Sequence, residues 1–423
     1  MRVPEFHVGT NTHVVGGSGV ADRVGRYAAG YGRRALIVLG QSHARASGLL
    51  GRVEHRLREE GLAVDMIEGV GPNPNVTLVD AGATLARSWH ADVIVAVGGG
   101  SVIDVAKAIA TSAAAAEVTE FRTHLSGLRS PGHMVDAVTP VVAVPTLPGS
   151  GSETNGTSVL IDSITGRKLS AHSDLAAPRI ALLDPELVSE TTQAQLAPGL
   201  ADAVCHALEA ALSSRATVAS DALAEQALRT VLRHGAPALD RRSQTWHEDM
   251  LRVWWATELA GQALTLAGSL VTHPLAHALS ARFDASHGAA VAALEPAVLA
   301  RFSEAFAASG ALARVARWLE VRTPDDEDTA LRGILGRLAR FHAALGVRDT
   351  VTDLGLTTET FPDVVRDARE SGSRGLGTIP GGVLDVDQLF SVLDLAMTCG
   401  PTTSAKQVQQ RRDEIRRAVA VDG

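Results

Sequence analysis

The sequence predicts an α/β N-terminal half followed by an all-α C-terminal half. The first half is a Rossmann-like parallel sheet with helices on its faces. Three observations carry this. Up to about Thr192, short apolar runs alternate with helix-length stretches, the signature of parallel strands joined by crossover helices. Two of those runs end in polar, glycine-bearing loops. After Asp184-Pro185 the strand candidates vanish and the pattern becomes helical. At 423 residues the chain is too long for one ordinary core. Two domains are expected, drawn at 1–193 and 194–423.

Each element follows from its local pattern. "RALIVLG" (Arg34 to Gly40) reads as a buried strand, and "ASGLLGRVEHRLREEG" as the helix after it. "VDMIEGV" is a second strand, "VTLVDAGATLARSWH" a helix, and "ADVIVAVGGG" a third strand that ends in glycines. "SVIDVAKAIATSAAAA" is the next helix and "PVVAVPT" a fourth strand. "SVLIDS", "RKLSAHS" and "RIALLDP" follow as further strands. In the second half, "GLADAVCHALEAALSS", "SDALAEQALRTVLRHG", "EDMLRVWWATELAGQALTLAG", "DTALRGILGRLARFHAALG" and "VDQLFSVLDLAMT" all read as helices. No internal repeat is visible.

Composition narrows the function classes. Hydrophobic residues make up 45% and charged residues 20%, as in a soluble globular protein. The formal charge of -8 disfavours a general nucleic-acid or anionic-membrane binder. No apolar run reaches the roughly 18 residues of a membrane span. Two cysteines, Cys205 and Cys399, give no disulfide framework and fit a reducing, cytoplasmic setting. The start "MRVPEFHVGT" lacks a basic segment followed by an apolar core, so no signal peptide is expected.

"VIVAVGGGSVIDVAKAI" places Gly98, Gly99, Gly100 and Ser101 between a strand and a helix start. Glycines let backbone approach a phosphate, and the amides and dipole of a helix N-terminus favour the anion. A tight turn with close packing explains the triple glycine equally well. Neither GxGxxG nor the P-loop pattern is present here. The second loop, "VPTLPGSGSETN", adds Thr146, Ser150 and Ser152 after another strand. Ligands of open parallel sheets bind beyond the carboxyl ends of the strands, so two such loops on one edge point to a nucleotide site.

"GLADAVCHALEA" holds Asp202 and His206 at i and i+4, which stacks both on one helix face. "VTHPLAHALSARFDASHG" crowds His273, His277 and His287 into fifteen residues. Each pair alone reads as an ordinary surface or buried polar contact. Together they offer the three or four ligands that a metal ion wants. Spacing does not say which two of the three histidines join Asp202 and His206.

In order along the chain, "RALIVLG", "PNPNV", "GGGSVIDVAKAI", "PTLPGSGSETN", "LLDPELV", "GLADAVCHALE" and "THPLAHALSARFDASHG" resemble the iron-containing (group III) alcohol dehydrogenase family over most of the chain. "GRKLSAHSDL" and "FDASHGAAVAALEPAVLARF" are most similar to its butanol dehydrogenase-like, broad aldehyde reductase branch. The resemblance implies a dehydroquinate synthase-like fold. It implies Fe(II) or Zn(II) held by Asp202, His206, His273 and His287, with His277 as a non-ligand histidine near the nicotinamide; there it is the nearest candidate for a proton relay, with plain packing as the alternative. It implies a nucleotide held by Gly98, Gly99, Gly100, Ser101, Asp104, Asn73, Thr146, Ser150 and Lys168.

Two departures stand out. NAD-preferring members usually carry Asp where this chain has Gly40, followed by Gln41 and Ser42. Losing that carboxylate removes repulsion from a 2′-phosphate, so NADP is expected over NAD, with Arg45 as a possible aid. The late "NPR" signature of many members is Ile379-Pro380-Gly381 here, so that end of the pocket departs from the family pattern. The expected reaction is hydride transfer between NAD(P)H and a small aldehyde or alcohol, with a homodimer as the commonest assembly. An anionic aldehyde such as a phosphonate-bearing one would call on Arg282, Arg369 or Arg374. Alternatives are a dehydroquinate synthase-like lyase, a glycerol or glycerol-phosphate dehydrogenase, and last a non-catalytic nucleotide-binding protein.

Overall fold

The structure, a computed structural model, describes residues 9–115, 120–125, 137–371 and 374–421. The N-terminal leader reading (Met1 to Val8) and the side chain of Arg374 lie outside the described residues. The chain forms two compact units. One comprises Gly9–Thr192 with Asp240–Glu258, and the other Gln193–Leu239 with the chain from Leu259 on.

The first unit is built on a six-stranded sheet. Its strands are β1 (His13–Gly16), β2 (Arg34–Gly40), β3 (Ala63–Val70), β4 (Val93–Gly98), β5 (Val141–Pro145) and β8 (Ile180–Leu183). Their order is β1-β8-β5-β4-β2-β3, and every neighbouring pair is parallel. Alternate residues of the central strands face opposite sides. Leu36, Val38, Ile94 and Ala96 pack with Val102, Ile103 and Ile109 on one side. Ala35, Ile37, Val93, Val95 and Val97 pack with Val24, Leu50, Val53 and Leu57 on the other. A strand buried on both faces must be apolar at every position, which is why these runs do not alternate with polar residues. Each such Val, Leu or Ile contributes roughly 1.5–3 kcal/mol on burial.

After β2 the chain moves to edge strand β3 and then returns to the other side of β2 as β4. The strand order therefore reverses between β2 and β4, which end at Gly40 and Gly98. Such a switch point is where doubly wound sheets open a crevice for ligands.

Three strands depart from the sequence expectation. β1 is not among the predicted strands. It is only four residues, His-Val-Val-Gly, too short to show a period, and it is fixed by pairing with β8 from His13↔Ile180 to Gly16↔Leu183. β6 (Thr157–Ile161) and β7 (Lys168–His172) are strands as expected, but they leave the main sheet as an antiparallel hairpin.

The second unit is helical. Its longer elements are Gln193–Leu212, Val218–His234, Thr272–Phe283, His287–Arg301, Glu327–Leu345 and Val386–Thr398. Their ends follow local chemistry. Asp326 caps the Glu327–Leu345 helix by accepting from Thr329 N, and Gly346 closes it with φ 78°. Among the described residues, no helix is long and apolar enough to cross a membrane.

Candidate functional site

Asp202 and His206 share one face of the Gln193–Leu212 helix, one turn apart. His273 sits in the first turn of the Thr272–Phe283 helix. That helix stops at Asp284, which takes a left-handed conformation with φ 52°. The short turn that follows brings His287 to the start of the next helix. A Cβ on Gly288 would meet Pro198 O at 2.1 Å, so only glycine allows this close approach to the Asp202 helix.

The result is a convergence on one oxygen. Asp202 Oδ1 lies 3.4 Å from His206 Nε2 and 3.7 Å from both His273 Nε2 and His287 Nε2. Asp202, His206 and His273 are buried and His287 is half-buried. The His206 and His273 rings stack with centroids 4.9 Å apart. Asp202 Oδ1 accepts no hydrogen bond, a costly state for a buried carboxylate oxygen unless a cation meets it. Two ligand atoms about 2.1 Å from one ion at a tetrahedral angle stand roughly 3.4 Å apart. The observed spacings match that edge, so one carboxylate and three imidazoles fit a divalent ion such as Fe(II) or Zn(II).

Electrostatics agree with a pocket organised around Asp202. Burial pushes its carboxyl up, but His206, His287 and His273 outweigh burial and hold it far below the usual carboxylate range. Burial pushes His206 below an ordinary imidazole. Burial also opposes a charged His273, yet Glu209 and Asp202 raise it to about 10. His277 lies one turn beyond His273 and is half-buried. Its ring centroid is 5.1 Å from that of His287 and 6.1 Å from that of His273.

Sequence reasoning missed the groups behind these histidines. Glu209 Oε2 is 2.5 Å from His273 Nδ1. Cys205 and Glu295 are buried beside it. Burial and the Glu209 carboxylate push Glu295 up to about 8. A signal was available: Glu209 stands seven residues after Asp202, on the same helix face, as a lone acid in an alanine-rich apolar run.

The sheet unit holds the glycine loops. Gly99 caps the Gly100–Ala114 helix with no side chain contributing, which leaves that helix start suited to an anion. A Cβ on Gly98 would meet Val102 Cγ2 at 2.5 Å, and one on Gly100 would meet Ser150 Oγ at 2.4 Å. Gly98 thus lets the strand end pack on the following helix, and Gly100 lets the helix start pack on the second loop. Thr146 N donates to Gly98 O at 3.1 Å, and Ser101 Oγ donates to Pro72 O at 2.9 Å. Lys168 Nζ donates to Asn73 Oδ1 at 3.1 Å, joining two residues 95 apart in sequence.

Asp104 is expected among the cofactor residues, but both its oxygens have partners inside the protein. Oδ1 accepts from Ser152 Oγ at 2.5 Å and Oδ2 from Val159 N at 2.9 Å. Lys107, fully buried and also missed by the sequence reading, lies 3.1 Å from Asp104 Oδ1 and donates to Ser152 O and Asn155 O. This pair braces the second loop. Arg45 is ion-paired to Glu68 at 2.5 Å. In the helical unit Arg282 is paired to Asp363 and Asp367, and Arg369 is exposed.

Comparison with known proteins gives a consistent picture. The family described as iron-containing alcohol dehydrogenase matches residues 11–185, and the C-terminal part of the Fe-containing alcohol dehydrogenase family matches residues 196–378. An NADH-dependent butanol dehydrogenase A of Clostridium acetobutylicum is 32% identical over 69% of this chain and 74% of its own length. The NADPH-dependent aldehyde reductase YqhD of Escherichia coli is 29% identical over 90% of this chain and 97% of its own length. A crystal structure of a 1,3-propanediol oxidoreductase is 28% identical, covers 93% of this chain and all of its own, and superposes with a TM-score of 0.81.

Proposed function

The chain belongs to the iron-containing alcohol dehydrogenase family, and from that premise we propose that it is a metal-dependent oxidoreductase acting mainly as a reductase of small aldehydes to primary alcohols. The observation that carries this reading is the meeting of three imidazole Nε2 atoms at Asp202 Oδ1.

In this reading Asp202, His206, His273 and His287 hold Fe(II) or Zn(II). When bound, the ion supplies Lewis-acid polarisation of a carbonyl oxygen and the reduced nicotinamide supplies a hydride. Asp202 is the single anionic donor, so the four residues leave a divalent site net positive, which favours an oxygen that gains negative charge as the reaction proceeds. His277 holds the proton that the product oxygen needs, on a ring one turn from a ligand. The backbone of Gly98, Gly99 and Gly100 with Ser101 receives the nucleotide phosphates, and Thr146, Ser150, Asn73 and Lys168 border the same strand ends. Asp104 positions the second loop. Gly40, in place of a carboxylate, favours NADP over NAD.

Arg282 is occupied by two carboxylates, so uncharged short aldehydes are the favoured substrates over phosphonate-bearing ones. The test is an assay of the protein loaded with Fe(II) or Zn(II), with NADPH and NADH, against short aldehydes including anionic ones. The expected result is a fall in NADPH absorbance with an uncharged aldehyde. A lyase on the same fold gives turnover without net NADPH consumption, and that outcome would overturn the proposal.

A further inference from the structure

We infer that Glu209 is a positioning residue for the metal centre. Its carboxylate takes the Nδ1–H of His273, fixes that ring's tautomer and aims Nε2 at the point shared by Asp202, His206 and His287. The inference rests on the ligand reading proposed above.

The two nitrogens of His273 face two different carboxylates. Nε2 looks toward Asp202 Oδ1 at 3.7 Å, and Nδ1 toward Glu209 Oε2 at 2.5 Å. Both partners are buried, with Glu209 only 2% and His273 6% exposed. The contact is ion-pair close without being a linear hydrogen bond, so a small turn of ring or carboxylate completes the N–H···O bond. An imidazole can offer a lone pair at Nε2 only when its proton sits on Nδ1, and the group that receives that proton decides the tautomer.

Position supports the role. Asp202, His206 and Glu209 follow one another at i, i+4 and i+7 in a single helix, so one rigid element carries two ligands and the brace of a third. Neither His206 Nδ1 nor His273 Nδ1 makes a completed hydrogen bond among the described residues; what sets His273 apart is the Glu209 carboxylate 2.5 Å from its Nδ1. Glu209 is buried in a helix stretch whose Val204, Leu208, Ala210 and Ala211 are apolar and buried too. A charged residue there has a use only if something needs its charge.

Cys205, Glu209 and His273 also bring ligand-capable atoms within 4.8 Å of one another. The same carboxylate could therefore bind a second ion directly, and the experiment must separate that from positioning. Glu209→Ala, Glu209→Gln, Cys205→Ala and Asp202→Ala would each be compared with the parent protein. The measurements are Zn(II) affinity by chelator competition, bound Zn(II) per chain, and the melting temperature of the metal-free form.

One ion per chain is expected, with affinity about 10–100-fold weaker in Glu209→Ala. Glu209→Gln, which keeps a carbonyl acceptor but no charge, should recover part of the loss. Unchanged affinity in either folded Glu209 variant, or a lower melting temperature with unchanged affinity, overturns the positioning role. Two ions per chain, one of them lost in both Cys205→Ala and Glu209→Ala, overturns it too, because Glu209 is then a ligand. Loss of metal in Asp202→Ala keeps the ligand reading standing whatever Glu209 does. Parent-like affinity in Asp202→Ala sinks that reading and this inference together.

Discussion

A Cβ on Gly40 would meet Val70 O at 3.6 Å and Val102 Cγ2 at 3.8 Å, both ordinary contacts. Gly40→Asp should therefore fold, and its carboxylate would repel a 2′-phosphate. The ratio of kcat/KM for NADPH over NADH should fall by about tenfold or more, equivalent to roughly 1.4 kcal/mol. An unchanged ratio would remove the basis for expecting NADP. Gly288 is the opposite case, because its missing Cβ is what lets His287 reach Asp202. Gly288→Ala should weaken Zn(II) binding at least about tenfold, by the scale of losses at supporting residues, and chelator competition would read it. At this scale the sequence is legible where helical geometry rules. Spacing puts Asp202 and His206 on one face, and there they are. The partner histidines were not separable by spacing, because the left-handed turn at Asp284 resets the helical register before His287. Asp104 shows the same limit: its position in the motif is plain, but not the serine hydroxyl and amide that take its oxygens.

The β6–β7 hairpin shows what one buried carboxyl does for an element. Asp162 receives Arg122 Nε at 2.9 Å, Thr165 Oγ1 at 2.6 Å and the amides of Ile164 and Thr165. Burial pushes its pKa up, but these donors outweigh burial and bring it to about 2, below the ordinary 3.8. A depressed folded pKa means the stabilisation is present above about pH 4 and is lost as pH falls toward 2. Asp162→Asn should cost on the order of 2 kcal/mol at neutral pH. Its difference from the parent should shrink between pH 4 and pH 2, and urea unfolding across that range would show it. A constant difference would mean that the carboxyl does not titrate with folding. Nothing in the residue pattern marks the hairpin's departure from the sheet. Apolar runs of equal strength look alike in sequence, since pairing partners are set by tertiary contacts. β1 was lost for the converse reason, being a strand through its partner β8 more than through its own four residues.

At the scale of the molecule, the alternation of strand and helix and its end near Asp184 were enough to anticipate both architectures, because buried parallel strands cannot hide their apolar runs. Each unit has its own core, so a metal ion that binds only the folded helical unit should stabilise that unit selectively. At a free ion concentration about a thousand times Kd the gain is roughly 4 kcal/mol. Chelation should therefore speed amide exchange in the Gln193–Leu212 and His287–Arg301 helices, leaving β2 and β4 protected as before. Equal loss of protection in the sheet would mean that the two units unfold as one.

The turn at Asp284 and the glycine after His287 also close a long loop of chain. The four converging side chains come from positions as far apart as 202 and 287, a separation of 287 − 202 = 85 residues. An ion gripping them would tie off a long stretch of chain, as a cross-link does, in a protein whose two cysteines, Cys205 and Cys399, are both free thiols. By loop-closure entropy such a tie is worth about 4–5 kcal/mol against the unfolded chain, and unlike a disulfide it comes and goes with the supply of the ion.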